Sequence, residues 1–227
     1  MVWEKRVVLV RGTPASGKSI LAALLHDYYE RRKIPTALVR VWPENKPAYT
    51  VLYEATLDAG YDEEAVLAGL VFIIDGGQST YFDQEFWLDV VKAQASGGTG
   101  PRFCIFSSYG NPTTGIPNYP PGSPPAVIPP EQRVALHRSN IPGSPCISLC
   151  FSRAELKNVI RRLTAPLNKA LPLTEKAREY ILELTQGHPG AVRGVIDLLQ
   201  FVAPVPALSC PILPCTLTHG KALLSPD

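Results

Sequence analysis

The sequence predicts an α/β fold: a parallel five-stranded sheet covered by helices, with a small helical lid at its C-terminal end. Three observations carry that reading. Short apolar runs rich in β-branched residues alternate with segments of helical period. A glycine-bearing turn joins the first run directly to the first helical segment. The last helical segments follow the fifth run with no further strand behind them.

The elements follow in order. "KRVVLV" (5–10) reads as a buried strand. "SILAALLHDYYERRK" is a helix with Ile20, Leu21, Leu24, Leu25 and Tyr28 on one face, and Pro35 closes that unit. "TALVRVW" (36–42) is the second strand. "PAYTVLYEATLDAG" (47–60) is a helix with Leu52, Tyr53, Thr56 and Leu57 on one side and Gly60 as its stop. "LVFIID" (70–75) is the third strand, "DQEFWLDVVKAQA" (83–95) a helix capped by Asp83, and "RFCIFSS" (102–108) the fourth strand.

Prolines and glycines crowd residues 110–145, which read as a long loop. "CISLCF" (146–151) reads as the fifth strand. "SRAELKNVIRRL" opens on a capping box of Ser152 and Glu155, with Leu156, Val159, Ile160 and Leu163 on its buried face. Two more helices carry Ala177, Tyr180, Ile181 and Leu184, then Val192, Val195, Ile196 and Leu199, at helical spacing. The expected organisation is an α/β core over 1–151, a helical lid over 152–202 and an unstructured tail over 203–227.

Composition narrows the function classes. The chain has 227 residues, 45% apolar and 19% charged, which fits a folded domain with a substantial core. A net charge of +2 gives no support for nucleic-acid or membrane binding. "RRK" (31–33) is read as a helix end, where positive charge favours the dipole. No apolar stretch reaches the roughly 18–20 residues that cross a bilayer. The start shows no signal-peptide pattern, so an intracellular location is expected. Of five cysteines, Cys104, Cys146 and Cys150 lie on or beside apparent strands and read as free thiols. A zinc site built from these with Cys210 and Cys215 matches no standard spacing.

"GTPASGKS" (12–19) fits G-x-x-x-x-G-K-[ST] without a mismatch, after a strand and before a helix. Gly12 and Gly17 let the main chain curl so that N–H groups of Thr13, Pro14's neighbours, Ala15 and Ser16 converge on phosphate oxygens. The helix start at Lys18, Ser19 and Ile20 adds positive potential. Lys18 places a charge on the β and γ phosphates, and Ser19 offers a hydroxyl to Mg²⁺. Asp75 ends the third strand at the same sheet edge, where its carboxylate can hold Mg²⁺ through water.

With these residues in view, the chain over about 5–200 resembles P-loop NTPases of the additional-strand division, nearest to AAA-type and STAND-type ATPases. That resemblance implies ATP and Mg²⁺ as ligands, Gly12–Ser19 as the Walker A loop, Ile20 at its end, and Asp75 as the Walker B acid. It implies a polar sensor after the fourth strand, where Ser107 and Ser108 stand and Asn111 follows. "TQGHPGAVRGVIDLL" (185–199) resembles the Gly-x-Pro segment of STAND ATPases, whose proline, here Pro189, packs near adenine. Arg193 falls where AAA proteins carry a second sensor arginine; a surface helix arginine is the other reading. "LVFIIDGGQSTYFDQEFW", "FSSYGNP" and "GHPGAV" together resemble ATPase modules of fungal Crinkler-type multidomain proteins.

The pattern departs from the family at Gly76, where those ATPases carry the glutamate that polarises water. A positioned base is worth roughly 10²–10⁴-fold in rate. Binding is therefore expected to survive while hydrolysis slows. Lys18, Asp75 and Gln78 carry what catalysis remains, with Gln78 orienting water and Asp83 or Glu85 as other groups within chain reach. Arg133 and Arg138 are positioned for donation to a neighbouring subunit, or are solvated loop arginines. Two other functions stay open: a P-loop kinase for a small acceptor, for which "RRL" (161–163) is the only hint, and an interaction module that binds nucleotide without turnover. No guanine signature appears, which favours ATP. A protein partner or self-assembly is expected of such a switch.

Overall fold

The computed structural model of the chain describes residues 2–108, 128–136, 147–164, 171 and 173–202. A short helix α1 (Val2–Lys5) leads into strand β1 (Val7–Arg11) and helix α2 (Lys18–Arg31). Strand β2 (Thr36–Val39) follows, then helices α3 (Ala48–Asp58) and α4 (Glu63–Leu67) and strand β3 (Val71–Asp75). A 3₁₀ turn (Gly77–Thr80), a π-helical stretch (Phe86–Val91) and helix α5 (Lys92–Ala95) precede strand β4 (Arg102–Ser107). Strand β5 (Arg133–Ala135) and helices α6 (Arg153–Thr164), α7 (Glu175–Thr185) and α8 (Pro189–Val202) complete the described chain.

The five strands form one parallel sheet in the order β2-β3-β4-β1-β5. The apolar runs are buried on both faces, as a parallel sheet requires. Val7, Leu9, Phe72, Ile74, Phe103 and Ile105 face one way, against α3 and the π-helical stretch. Their neighbours Val8, Val10, Val71, Ile73, Cys104 and Phe106 face the other way, against α2. The C-terminal helices α6–α8 form a small helical cap around Leu156, Ile160, Ile181, Val192 and Ile196. Its first helix starts as its sequence implies. The Ser152 N–H donates to Glu155 Oε2 at 2.8 Å, and the Glu155 N–H donates to Ser152 Oγ at 3.4 Å.

The fifth strand is not where its apolar pattern puts it. β5 lies at Arg133–Ala135, inside the segment read as loop, and pairs with β1. Residues 147–149 run beside it without forming a ladder. The Ile147 N–H donates to the Ala135 carbonyl at 3.1 Å and the Leu149 N–H to the Leu136 carbonyl at 3.3 Å. These donors are two residues apart but their acceptors only one, so the regular alternation of a ladder is lost. Cys146 lies outside the described residues, as do Cys210, Cys215 and the tail from 203.

Three helix faces also differ from their reading. On α2 the buried positions are Lys18, Ala22 and Tyr29, while Ile20, Leu24 and Tyr28 are exposed. On α3, Ala48, Val51, Leu52 and Thr56 are buried, and Tyr53 and Leu57 face outward. On α7, Ile181 is buried whereas Tyr180 and Leu184 are exposed. The helix read over 83–95 is π-helical through its middle, Phe86–Val91. Asp83 does cap it, accepting from the Phe86 N–H at 2.9 Å. Among the described residues, no helix is long and apolar enough to cross a membrane.

Candidate functional site

The site lies at the carboxyl ends of β1, β3 and β4, where parallel sheets of this kind leave a crevice. The loop from Gly12 to Gly17 turns sharply there. Ala15 and Gly17 both adopt left-handed backbone, with φ of 58° and 95°. The Ser16 N–H closes a turn on the Thr13 carbonyl at 3.2 Å. Lys18 opens α2 and is buried beneath the loop, where its ammonium donates to the carbonyls of Gly12 (3.0 Å) and Thr13 (2.7 Å). Burial lowers the Lys18 pKa below its ordinary value, and the negative charge of Asp75 partly offsets this. Ser16 Oγ is buried in the loop and has no hydrogen-bond partner among the described residues.

The β3 end is shaped by two glycines. Gly76 has φ 79° and ψ 37°, a left-handed conformation that side-chain-bearing residues resist. At Gly77 an added Cβ would stand 2.3 Å from Ile105 Cγ2, so β4 could not pack as closely there. The resulting turn brings Gln78 back across the sheet edge, where its Oε1 accepts from the Ser108 N–H at 3.1 Å.

A cavity of about 480 Å³ joins these pieces. It is lined by the loop residues Pro14, Ala15 and Gly17, by Lys18, Ser19 and Ile20 at the start of α2, and by Asp75, Gly76, Gln78 and Ser108. Gly12, Thr13 and Ser16 belong to the loop but do not line the cavity. Ser107 is fully buried beside it and shares a 2.6 Å hydrogen bond with the Tyr81 hydroxyl. Arg40, just past β2, also lines the cavity, and sequence reasoning missed it. It is exposed and makes no hydrogen bond or ion pair among the described residues. The sequence reading put Arg40 inside the second strand (36–42), whereas β2 ends at Val39 and leaves Arg40 just beyond it.

The remaining predicted residues stand apart from the cavity. Pro189 opens α8, whose start packs against the loop: an added Cβ at Gly190 would lie 2.4 Å from Ala15 Cβ. Arg193 projects from the α8 surface and holds Asp197, with Nε 2.8 Å from each carboxylate oxygen. Asp83 is committed elsewhere, since besides its cap it accepts from Trp42 Nε1 at 3.3 Å. Glu85 is exposed. Arg133 sits in β5 and donates to the Ile128 carbonyl. Arg161 donates to Asn158 within the cap. Asn111 and Arg138 lie outside the described residues. Among the described residues, no group of three or more His, Cys, Asp or Glu side chains is arranged to hold a metal ion.

Neither a protein-family model nor a curated protein matches the chain. Among solved structures, it is similar to a chain from the structure of Drosophila ORC bound to DNA, with a TM-score of 0.41 and 11% identity. The match covers 87% of this chain and 50% of that one, so the chain spans half the length of its structural neighbour. At that score and identity the likeness adds nothing to the reading of the site. The sheet and its crevice are those of a parallel α/β fold with helices on both faces.

Proposed function

We propose that this chain is an ATP-binding module of the P-loop NTPase type, in the additional-strand (AAA/STAND-like) division, which hydrolyses ATP slowly and acts as a nucleotide-dependent switch. One observation carries the proposal: a single cavity is shared by Lys18, Ser19 and Asp75 under a loop of the pattern G-x-x-x-x-G-K-[ST]. The strand order supports the division, because β4 is inserted between the loop-bearing β1 and the acid-bearing β3.

Each residue has a share in binding. The loop amides and the start of α2 provide donors and positive potential for the phosphates. The Lys18 ammonium, now spent on two loop carbonyls, turns to the phosphate oxygens. Arg40 adds a second cation from the β2 side. For a divalent ion the donor set fits: Ser19 and Asp75 both line the cavity with hard oxygens, as magnesium prefers. When bound, Mg²⁺ would neutralise charge on the β and γ phosphates.

Slow turnover follows from what stands beside Asp75. Gly76 has no side chain to polarise water, Asp83 is engaged with Trp42 and Phe86, and Gln78 is held by Ser108. Gln78 can still orient water, with its amide nitrogen, but it is no base. The switch reading draws support from the contact of α8 with the loop, since filling the loop disturbs the helical cap directly. A protein partner or self-assembly would read out that movement.

Thermal shift with ATP·Mg²⁺ and GTP·Mg²⁺, followed by measurement of phosphate release, tests the proposal. A shift with slow release supports it. A shift with no release at all supports a binding-only interaction module, and release that requires an acceptor supports a kinase.

A further inference from the structure

The helical cap carries a cavity of its own, of about 440 Å³, which shares no lining residue with the nucleotide site. Lys157 and Arg161 of α6 and Arg178 of α7 line it, and no acidic side chain among the described residues does. The buried Ile160 and the half-buried Leu171 supply its apolar part. Lys157 is exposed and makes no hydrogen bond or ion pair among the described residues. Arg161, also exposed, donates to the neutral Asn158 side chain at 3.0 Å. Arg178 pairs with Glu175 at 2.7 Å, so Lys157 and Arg161 carry the uncompensated charge of the cavity. Glu155, the acid of α6, is spent on the Ser152 cap. Lys157 and Arg161 stand four residues apart on one helix face, where like charges repel. The helix dipole accounts for Arg161 and Arg162 in the last turn, but not for Lys157 in the middle of α6.

We propose that this cavity is a docking site for an acidic segment of a partner protein, which sets an apolar side chain against Ile160 and Leu171 and carboxylates against Lys157 and Arg161. The uncompensated cations select the charge of the occupant. The apolar lining favours a peptide over a nucleic-acid backbone, whose phosphates and sugars offer nothing to Ile160 and Leu171. Such docking also gives the "RRL" stretch (161–163) a use, since Arg161 is one of the two cations that receive the segment. The docking needs no nucleotide, so it stands or falls separately from the reading of the P-loop.

The test uses the intact, nucleotide-free chain and three labelled peptides, followed by fluorescence anisotropy at physiological salt. The first is acetyl-Asp-Glu-Leu-Leu-Glu-Asp, the second has every acid replaced by lysine, and the third keeps the acids but has both leucines replaced by serine. The first should bind saturably, and more weakly as salt rises, because its partners are exposed charges. The lysine and serine peptides should bind at least about tenfold more weakly, one for want of charge and the other for want of apolar contact. A Lys157→Gln/Arg161→Gln variant, its fold checked by thermal melting, should lose the first peptide to a similar degree. Arg162→Gln, outside the cavity, should keep it. No saturable binding of the first peptide, equal binding of all three, or an equal effect of the double variant and Arg162→Gln would overturn the proposal. So would tighter binding of a short DNA duplex that depends on Lys157 and Arg161, which would make the cavity a phosphate-backbone contact instead.

Discussion

His188 Nε2 lies 2.7 Å from Thr13 Oγ1, so the residue that precedes α8 is hydrogen-bonded to the loop between β1 and α2. Its other ring nitrogen, Nδ1, accepts from the Ala191 N–H at 3.2 Å. That bond assigns the ring proton to Nε2, which donates to the threonine hydroxyl. His188 thus caps α8 and ties the helical cap to the loop at once.

Replacing His188 with alanine should release both contacts. A lost helix cap costs about 0.5–2 kcal/mol and a lost hydrogen bond about 1 kcal/mol. Amide exchange in α8 should accelerate in this variant while exchange in β1, β3 and β4 stays unchanged. Unaltered exchange in α8 would show that apolar packing alone holds the cap on the loop.

Arg40 makes a sharper test of the cavity because it makes no hydrogen bond or ion pair among the described residues. Arg40→Ala should leave the melting temperature of the nucleotide-free chain unchanged. It should weaken ATP affinity about tenfold, the effect of one charge-assisted hydrogen bond of roughly 1.5 kcal/mol. Unchanged affinity would remove Arg40 from the phosphate site.

Gly76 is under a backbone constraint as well as a chemical one, since its φ is 79°. Gly76→Ala and Gly76→Glu should both lower stability by about 1–2 kcal/mol, the cost of a left-handed side-chain-bearing residue. Only the glutamate variant should raise phosphate release. Equal release from both variants would mean that a group other than residue 76 limits turnover.

Alkaline pH should act on binding through Lys18 and on folding through both Lys18 and Cys104. Lys18 clamps phosphate only when protonated, and burial holds its pKa below 10.5, so ATP affinity should fall before an exposed lysine would lose its charge. For the nucleotide-free fold the sign is opposite: a depressed lysine pKa adds stability as pH rises through it toward 10.5. Burial pushes the Cys104 thiol from 9.0 up to about 12, so its contribution to stability is lost as pH climbs from 9.0 toward 12. Melting temperatures should therefore fall less steeply above pH 9.0 in Cys104→Ala than in the parent chain. Parallel slopes would show that Cys104 is not the titrating group.

The strands and the loop were legible because their signals are local. Four buried runs and an eight-residue loop pattern, "GTPASGKS", need no knowledge of neighbours. β5 was not legible because Arg133–Ala135 is three residues long and sits among prolines, so only its pairing with β1 makes it a strand. The apolar stripe of α2 was misphased because "ILAALL" is apolar nearly all round. The face that packs is set by small Ala22 and by Lys18, which must point beneath the loop, and this turns Ile20 and Leu24 outward. Arg40 was missed because a strand-end arginine has no motif; only the fold of β2 beside β3 brings it to the cavity. Gly76 was noticed as a missing glutamate, but its left-handed turn is a three-dimensional property.

The central claim is tested most directly by calorimetric titration of the intact chain with ATP·Mg²⁺. Saturable heat with one nucleotide per chain is expected, and Lys18→Ala should abolish it because the loop then has no cation for the phosphates. Absence of heat from the folded parent chain with every magnesium-bound nucleoside triphosphate, or full affinity in Lys18→Ala, would contradict the account.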